Sequence, residues 1–469
     1  MATITYSTLA DNSVTAFNPV SDVLSVDGGL DATQFDWGPI ETGPNTGLGV
    51  VFRQQDINGN TVKTIYLLMS GSPDAFNPYK LTSGNITFVS GSLFLIGDNS
   101  TGTGDDASSV TLTGGSGNDF LLSLGGSQTL NGGDGNDILA TVGGGGGTLG
   151  GSGTDAFIGG NGIDWLGLND VAGLISYTVN LALGTGSVTG ANPSSFTIAT
   201  IENVGGSMMG DSITGDANAN QIEGHEGNDT ITGGLGNDTL NGGSDIDTVS
   251  YAGASGGVTV NLGTGTATGA AGSDVLSNFE NIEGSAFNDS LLGNTGNNLI
   301  TGLAGNDFIN AGQGNDTIDG GTGNDIASYQ GATGAVIVSL ASGTASGADG
   351  NDVLLNIESI RGGASADTLT EGSAAANAVQ FLATDIGETV EGMGGNDTLI
   401  GSAAANAISI VSYSQSTAQV TVNLGTGTAS DGWGGTDTLS NFDGVSGGSA
   451  GRPAHRRQQQ LEHHPRDAV

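Results

Sequence analysis

The sequence predicts an all-β protein in which short strands are stacked into a β-solenoid of nonapeptide repeats, behind a small N-terminal β domain. A nine-residue pattern, Gly-Gly-x-Gly-x-Asp-x-apolar-x, recurs from residue 114 to about residue 400. A strict short repeat of this kind is typical of stacked repeat architectures. The chain also has 87 glycines among 469 residues and no cysteine, so disulfides and thiolate metal sites are excluded.

The first hundred residues lack this pattern. They contain apolar runs such as Thr61–Met69 and Ile86–Ile96, and Asn58-Gly59 lies between Val50–Phe52 and Val62–Leu68. An Asn-Gly pair between two apolar runs predicts a β-hairpin. We expect this part to cap the solenoid, because a bare terminal coil exposes apolar surface and unpaired strand edges.

Each copy of the pattern combines a turn, a ligand and a strand. The clearest copies are Gly114–Leu122, Gly132–Ala140, Gly233–Asn241 and Gly320–Ser328. The glycines permit tight turns with positive φ, the Asp offers a hard oxygen ligand, and the last three residues form a strand with one inward apolar side chain. The predicted inward residues are Leu121, Leu139, Phe157, Ile231, Leu240, Leu291, Ile309 and Ile318.

This pattern resembles the calcium-binding nonapeptide of the RTX (repeats-in-toxin, hemolysin-type) family. Tandem copies in that family fold as a parallel β-roll in which two nonapeptides make one coil. The resemblance implies several Ca²⁺ ions, each held between turns one coil apart, because Ca²⁺ takes about six to eight oxygens. Relatives usually leave the cell through a type I exporter that recognises an uncleaved C-terminal signal.

The sixth position of each copy supplies the candidate metal ligands. They are Asp119, Asp137, Asp155, Asp164, Asp211, Asp229, Asp238, Asp247, Asp289, Asp307, Asp316, Asp325, Asp367 and Asp397. Asn220, paired with Asp238, and Asn298, paired with Asp316, are expected to form weaker sites of lower charge. The alternative, ordinary Gly/Asn/Asp turns, does not require Asp at every second nine-residue step.

The phase of the repeat also predicts which of these residues are neighbours. In the first roll, Asp119, Asp137 and Asp155 are expected on one edge, with Gln128, Gly146 and Asp164 on an opposite edge that has largely lost calcium. The other predicted sites lie between Asp211, Asp229 and Asp247, and between Asp289, Asp307 and Asp325.

A longer unit separates the rolls. Ser-Tyr recurs at Tyr177, Tyr251, Tyr329 and Tyr413, and alternating segments such as Val258-Thr-Val-Asn-Leu follow. Period-2 alternation predicts strands, so we expect these inserts to continue the stack. The predicted segments are 1–104 (cap), 105–175 (first roll), 176–250, 251–328 and 329–410 (insert plus roll, the last roll degenerate), 411–450 (last insert) and 451–469 (aberrant tail).

The charge balance excludes several partners. With 48 Asp and Glu against 8 Lys and Arg, the formal charge is −40, so nucleic acid and anionic membrane surfaces are disfavoured. No run of 18 apolar residues is present to span a membrane. The start of the chain lacks the features of a secretory signal peptide, which agrees with type I-like export.

The sequence predicts no enzymatic activity. It has no His-Glu-x-x-His motif and no Ser/His/Asp set, and His225 occupies a turn position. Gly447-Gly-Ser-Ala-Gly451 matches Gly-x-Ser-x-Gly in a segment where chance matches are common. A polysaccharide lyase or epimerase is a remaining alternative, disfavoured because Arg361 is the only basic residue of the array apart from His225.

The composition changes abruptly at Gly451. The last nineteen residues contain half of all Lys and Arg and three of the four histidines. We interpret this tail as the product of a frameshift, since a shifted reading of its codons can yield repeat-like sequence. The competing interpretation is a native basic tail with a binding role.

These observations predict a secreted calcium-binding protein that folds outside the cell. Its apolar core is thin, so burial can hardly offset the ordering entropy of a glycine-rich chain, and folding should be coupled to ion binding. We expect a structural or adhesive role at a cell surface or matrix, with self-association or a surface partner. The alternative is an accessory module of a type I-secreted protease, lipase, epimerase or toxin whose catalytic part is missing.

Overall fold

The computed structural model describes residues 110–123, 128–144, 148–149, 155–170, 175–189, 194–372, 389–403 and 408–447, together with eight strands upstream of residue 110. Every regular element in these residues is a β-strand, which confirms the all-β prediction. The described part of the chain contains no helix that is long and apolar enough to cross a membrane. The predicted aberrant tail, 451–469, lies outside the described residues.

The N-terminal part contributes eight strands to two small sheets and one strand pair. They are β1 (Thr3–Thr5), β2 (Ser13–Phe17), β3 (Val23–Val26), β4 (Phe35–Pro39), β5 (Gly49–Gln55), β6 (Thr61–Met69), β7 (Ile86–Phe88) and β8 (Phe94–Ile96). The sheet orders are β1-β3-β7 and β2-β6-β5-β4. β5 and β6 pair antiparallel, as the predicted hairpin requires, and β8 pairs in parallel with Phe120–Ser123.

The remaining strands are short and regularly spaced. The first group is β9 (Val110–Thr113), β10 (Phe120–Ser123), β11 (Gln128–Asp134), β12 (Ile138–Gly144), β13 (Thr148–Leu149), β14 (Asp155–Asn161), β15 (Trp165–Asp170), β16 (Ser176–Asn180), β17 (Thr185–Thr189), β18 (Ser194–Ala199), β19 (Asn203–Gly205), β20 (Ser212–Thr214), β21 (Gln221–Glu226), β22 (Thr230–Thr232), β23 (Thr239–Ser244) and β24 (Thr248–Ser250).

The second group is β25 (Val258–Asn261), β26 (Thr266–Gly269), β27 (Gly272–Ser277), β28 (Asn281–Glu283), β29 (Ser290–Leu292), β30 (Leu299–Thr301), β31 (Phe308–Asn310), β32 (Thr317–Asp319), β33 (Ile326–Ser328), β34 (Val336–Ser339), β35 (Thr344–Gly347), β36 (Gly350–Leu355), β37 (Ser359–Arg361), β38 (Thr368–Thr370), β39 (Thr389–Glu391), β40 (Thr398–Ile400), β41 (Ile410–Ser412), β42 (Thr421–Asn423), β43 (Thr428–Ser430), β44 (Thr436–Ser440) and β45 (Gly444–Ser446). The chain divides into two compact units, Met1–Thr248 with Asp274–Asn278, and Val249–Ser273 with Phe279–Val469.

Within each unit, successive nonapeptides alternate between two sheets. In the first unit, Ile213 pairs with Ile231 in one sheet and Ile222 with Leu240 in the other. In the second unit, Leu291 pairs in parallel with Ile309. Each of these partners lies 18 residues along the chain, because two nonapeptides make one coil. This parallel register confirms the predicted β-roll.

The core is a narrow column between the two sheets. The three-residue strands bury their middle residue and turn its neighbours outward, as alternation in a strand requires. All eight predicted inward residues are almost completely buried: Leu121, Leu139, Phe157, Ile231, Leu240, Leu291, Ile309 and Ile318. Each nonapeptide therefore contributes one apolar side chain to a thin core.

The inserts continue the stack, as predicted, but with a strand direction that the sequence did not show. In the third insert, β34 and β35 pair antiparallel, and so do β35 and β36. β36 then pairs in parallel with β32, and β34 with β38. The first insert repeats this arrangement with β16, β17 and β18. An insert is thus a three-stranded meander inside an otherwise parallel sheet.

One glycine turn provides a test of how closely the coils are stacked. Gly236 has φ +134°, and a Cβ atom at this position would collide with the main-chain oxygen of Asn218. We expect Gly236→Ala to lower the free energy of unfolding by more than about 1 kcal/mol, because Ala is strained at positive φ. Gly253→Ala is the control, since nothing lies within 4 Å of its Cβ position. Chemical unfolding in calcium measures both; equal effects would contradict the close stacking.

Candidate calcium sites

The turns that hold the candidate ligands are shaped by glycine and by the coil beneath. In the Gly233–Asn241 copy, Gly234 and Gly236 have φ +100° and +134°. A Cβ atom at Gly234 would collide with the carbonyl oxygen of Asp216 in the preceding coil. His225 occupies the matching second position, near the end of β21, with φ +80° and an exposed side chain.

The sixth-position Asp side chains turn inward and join consecutive coils. Asp229 is 1% exposed, and its Oδ1 accepts the main-chain N–H of Asp211 at 2.7 Å. The N–H of Asp229 in turn donates to Oδ1 of Asp247 at 2.8 Å. Asp289, Asp307 and Asp325 repeat this chain of bonds at 2.8 Å each. We call such a column of carboxylates, one per coil, a carboxylate ladder.

The second carboxylate oxygen of nine Asp residues in these ladders has no hydrogen-bond partner. It is buried and unpartnered in Asp137, Asp155, Asp164, Asp229, Asp238, Asp307, Asp316, Asp325 and Asp397. A buried polar atom without a partner is costly, and a cation beside these nine equivalent oxygens would remove that cost.

Glycine shapes a cradle around each of these oxygens. A Cβ atom at Gly302 would collide with Oδ2 of Asp307 and lies close to the carbonyl oxygen of Gly320, one coil further on. Gly132 has the same relation to Asp137 and Gly159, and Gly224 to Asp229 and Gly242. Carboxylate and carbonyl oxygens thus converge where only glycine leaves room. This set of hard oxygens suits Ca²⁺.

Four predicted ligands stand at the beginning of a ladder and are satisfied differently. Oδ2 of Asp119, Asp211, Asp289 and Asp367 accepts the main-chain N–H four residues earlier, at 2.5 to 2.7 Å. Oδ1 of Asp211 has a partner as well, because it accepts the main-chain N–H of Tyr177. Sequence pattern alone does not separate these ladder ends from the interior positions.

The two predicted Asn ligands also terminate ladders. Oδ1 of Asn298 accepts the N–H of Asn294, and its Nδ2 donates to the carbonyl of Glu280 at 2.6 Å. Asn220 makes the equivalent bonds to Asp216 and Glu202. An amide N–H₂ group is a donor and cannot ligate a cation. In this arrangement hydrogen bonds engage both polar atoms of each amide side chain, and the weaker calcium sites expected at these two residues stay a prediction.

The predicted stacking of the first roll is wrong beyond Asp137. The N–H of Asp137 donates to Asp164, at 2.7 Å, and Asp155 instead accepts the N–H of Gln128 at 2.8 Å. The reason is the nonapeptide 141–149, which has Gly146 in place of Asp. Its residues extend β12 and return as β13, antiparallel to it. Because this nonapeptide contributes no ladder Asp, the two edges exchange phase after Asp137, and both carry carboxylates.

The inserts contain carboxylates that sequence reasoning missed. The N–H groups of Asp238, Asp316 and Asp397 donate to Oδ1 of Asp274, Asp352 and Asp437, at 3.0, 3.0 and 3.1 Å. These acceptors belong to degenerate nonapeptides within the inserts, Gly269–Ser277, 347–355 and 432–440, which keep Gly at the fourth, Asp at the sixth and Leu at the eighth position. They do not match the nonapeptide pattern because their second position is not glycine.

Glutamates and tyrosines close several ladders. Glu202 accepts the N–H of Asp164 at 2.8 Å, and Glu358 that of Asp325 at 2.9 Å. The Tyr329 hydroxyl donates to Oδ2 of Asp352 at 2.9 Å, and Tyr413 does the same to Asp437. The recurring Ser-Tyr therefore has a role that its spacing did not reveal. Tyr177 differs, because it lies on β16 and its N–H bonds to Asp211, as that of Val258 bonds to Asp289.

Burial raises the pKa of several carboxylates inside the ladders. Desolvation, against the opposing effect of a backbone hydrogen bond and together with repulsion from neighbouring carboxylates, raises the pKa of Asp137, Asp229 and Asp307 to about 7. The same causes raise the pKa of Asp397 to about 8. A cation beside Oδ2 would reverse this shift, because an opposite charge favours the ionised form.

No three His, Cys, Asp or Glu side chains within the described ranges form a group that could hold a metal ion. Each ladder step instead offers carboxylates from successive coils and a main-chain carbonyl.

Asp307→Ala should remove both a metal ligand and the acceptor of the Asp289 N–H. We expect a loss of about 1–3 kcal/mol in stability from the unpaired N–H, and reduced calcium binding by calorimetry.

The control for this variant is Asp134→Ala, in which an exposed carboxylate that accepts only from the exposed side chain of Asn161 is lost. We expect it to change stability by no more than about 0.5 kcal/mol, as surface substitutions do. If the two variants behaved alike, the ladder carboxylates would have no special role in stability.

Comparison with known proteins supports this assignment. The family model described as the RTX calcium-binding nonapeptide repeat (4 copies) matches residues 110–147, 214–249, 278–302, 292–327 and 383–409. No curated protein matches the chain. The matched segments contain most of the carboxylate ladders, and the inserts lie largely between them. The chain is therefore a calcium-binding repeat protein with RTX nonapeptides.

Proposed function

We propose that the protein is exported and folds on binding calcium outside the cell, where it has a structural or adhesive role at the cell surface or in a matrix. The unpartnered carboxylate oxygens support the first part most directly. They lie in the same side chains that join consecutive coils, as in Asp229 and Asp307. An ion bound there would stabilise the stack itself, so folding and ion binding would be one event.

A non-enzymatic role agrees with how the charged groups of the described ranges are used. The carboxylates of the ladders accept hydrogen bonds from the main chain of adjacent coils, a structural task. Arg361 forms an ion pair with Glu391 at 3.1 Å and lies over the Phe308 ring at 5.4 Å. We therefore place the interaction of this protein with its surroundings on its repetitive surface and not in a catalytic cleft.

The test of this proposal is calcium-dependent assembly of the full chain. Sedimentation velocity is measured in calcium, in magnesium and in chelator, and adhesion to the producing cells is measured in parallel. We expect calcium alone to yield self-association or retention on the cells, and Asp307→Ala to weaken it. A folded monomer that stays in solution in calcium would overturn the structural role and favour an accessory module of a secreted enzyme or toxin.

A further inference from the structure

Asp431, outside the nonapeptide phase, repeats the feature that marks the ladder sites. It lies between β43 and β44 in the fourth insert, six residues before the degenerate-repeat residue Asp437. By strand register, the corresponding residues of the second and third inserts are Gly269 and Gly347. No assigned role of the repeat explains a carboxylate at this position.

One oxygen of Asp431 organises the loop that follows. Oδ1 accepts the main-chain N–H groups of Trp433, Gly434 and Gly435 at 2.8, 3.0 and 2.8 Å. Three such bonds fix the orientation of the carboxylate in the loop. Gly432 and Gly434 have φ +82° and +108°, which permits the chain to fold around Oδ1.

The other oxygen has no hydrogen-bond partner although the residue is fully buried. Asp431 is 0% exposed, and its Oδ2 is a buried unpartnered atom. A Cβ atom at Gly435 would be about 2.5 Å from Oδ2 and would collide with the carbonyl oxygen of Gly395. Two oxygens that cannot donate to each other thus converge at a position that only glycine leaves open.

The surroundings add negative charge and no positive charge among the described residues that contact this loop. Asp397 and Asp437 are near enough to interact electrostatically with Asp431. The loop also lies on the turn that contains Gly395, because the N–H of Thr436 donates to the side chain of Asn396 at 2.8 Å. A cation at this position would offset the charge and hold the loop to the turn.

We propose that Asp431 Oδ2 and the Gly395 carbonyl bind a calcium ion that belongs to the insert and not to the nonapeptide ladders. Water completes the coordination, since Ca²⁺ requires about six to eight oxygens. The inference rests on the calcium binding of the proposed function but assigns a further ion to a loop. The alternative occupant of the same space is a proton on Oδ2, donated to the Gly395 carbonyl.

The experiment uses the full chain and two probes, calcium and terbium(III). The Asp431→Asn variant keeps the Oδ1 acceptor for the loop N–H groups and loses only the ligand oxygen. Asp349→Asn, in the corresponding loop of the third insert, is the control, because Oδ1 of Asp349 accepts from Thr333. We expect Asp431→Asn to bind one calcium ion fewer in equilibrium dialysis, with unchanged β signal, and Asp349→Asn to bind as many as the natural chain.

Trp433 supplies an independent readout. Trp433 is 37% exposed, and its main-chain N–H donates to Oδ1 of Asp431. Its indole should therefore transfer energy to terbium bound beside Asp431. We expect Trp433→Phe and Asp431→Asn to lose the same part of the tryptophan-sensitised terbium emission. An unchanged calcium count in Asp431→Asn, or full emission in Trp433→Phe, would overturn the site and favour the proton. If the natural chain bound no calcium at all, the proposed function itself would fail.

Discussion

Removal of calcium at neutral pH is expected to convert the β-roll into coil. The ladder carboxylates are buried and close to one another, and the pKa values of Asp229 and Asp307 are raised by desolvation and by repulsion from neighbouring carboxylates. At pH 7.5 and above, the metal-free fold must keep these groups ionised without a counter-ion or hold them protonated. Either requirement costs folding free energy, and the thin core offers little to offset it.

Far-UV circular dichroism during a calcium titration measures this effect. We expect a cooperative change from coil to β signal in the millimolar range or below, because external calcium modules bind in about the 10⁻⁴–10⁻³ M range. Magnesium is the control, since it demands a tighter octahedral shell. A β spectrum that persists in chelator at pH 7.5 would show that the stack stands without metal, and the role of the ladders would be refuted.

The second large effect is a dependence of the metal-free protein on pH. An unfolded Asp has a pKa near about 3.9, whereas burial raises the pKa to about 7 in Asp137 and about 8 in Asp397. The folded state therefore binds protons more tightly than the unfolded state. These groups therefore stabilise the metal-free fold fully below about pH 4, and their contribution to the free energy of unfolding is lost as the pH rises through 7 to 8.

In chelator, we therefore expect β signal at pH 5 that decreases between pH 6 and pH 8. Saturating calcium should abolish the decrease, because the ion replaces the proton at Oδ2. The variant Asp307→Asn imitates one protonated carboxyl, and it should retain more structure than the natural chain at pH 8 in chelator. Greater stability at pH 8 than at pH 5 without calcium would contradict the buried, uncompensated carboxylates.

Much of the fold followed from local pattern. The nonapeptide phase predicted which residues face the core, such as Leu240 and Ile309, and which Asp residues face the ladders, such as Asp229 and Asp307. These predictions succeeded because a fixed period determines the direction of each side chain once the coil is known. The alternation in the inserts similarly predicted strands that continue the stack.

The errors arose where the period was broken. The nonapeptide 141–149 has no Asp to accept an N–H from a neighbouring coil, and Asp155 and Asp164 consequently have partners that the phase did not predict. The degenerate nonapeptides of the inserts escaped notice because they lack one glycine, although Asp352 and Asp437 keep the Asp phase. The nine-residue spacing alone does not show whether a given segment forms a turn of the β-roll.

The sequence by itself determined the class of this protein: an acidic, calcium-binding β-roll whose side-chain directions follow from a nine-residue period. Only the tertiary structure decided which oxygens are left without partners. The Oδ2 atoms of Asp229 and Asp431 are unpartnered, whereas those of Asp211 and Asp352 are satisfied by Ser207 and Tyr329. The reason is physical: a hydrogen bond to a carboxylate depends on what the adjacent coil presents, and that coil is 18 or more residues away.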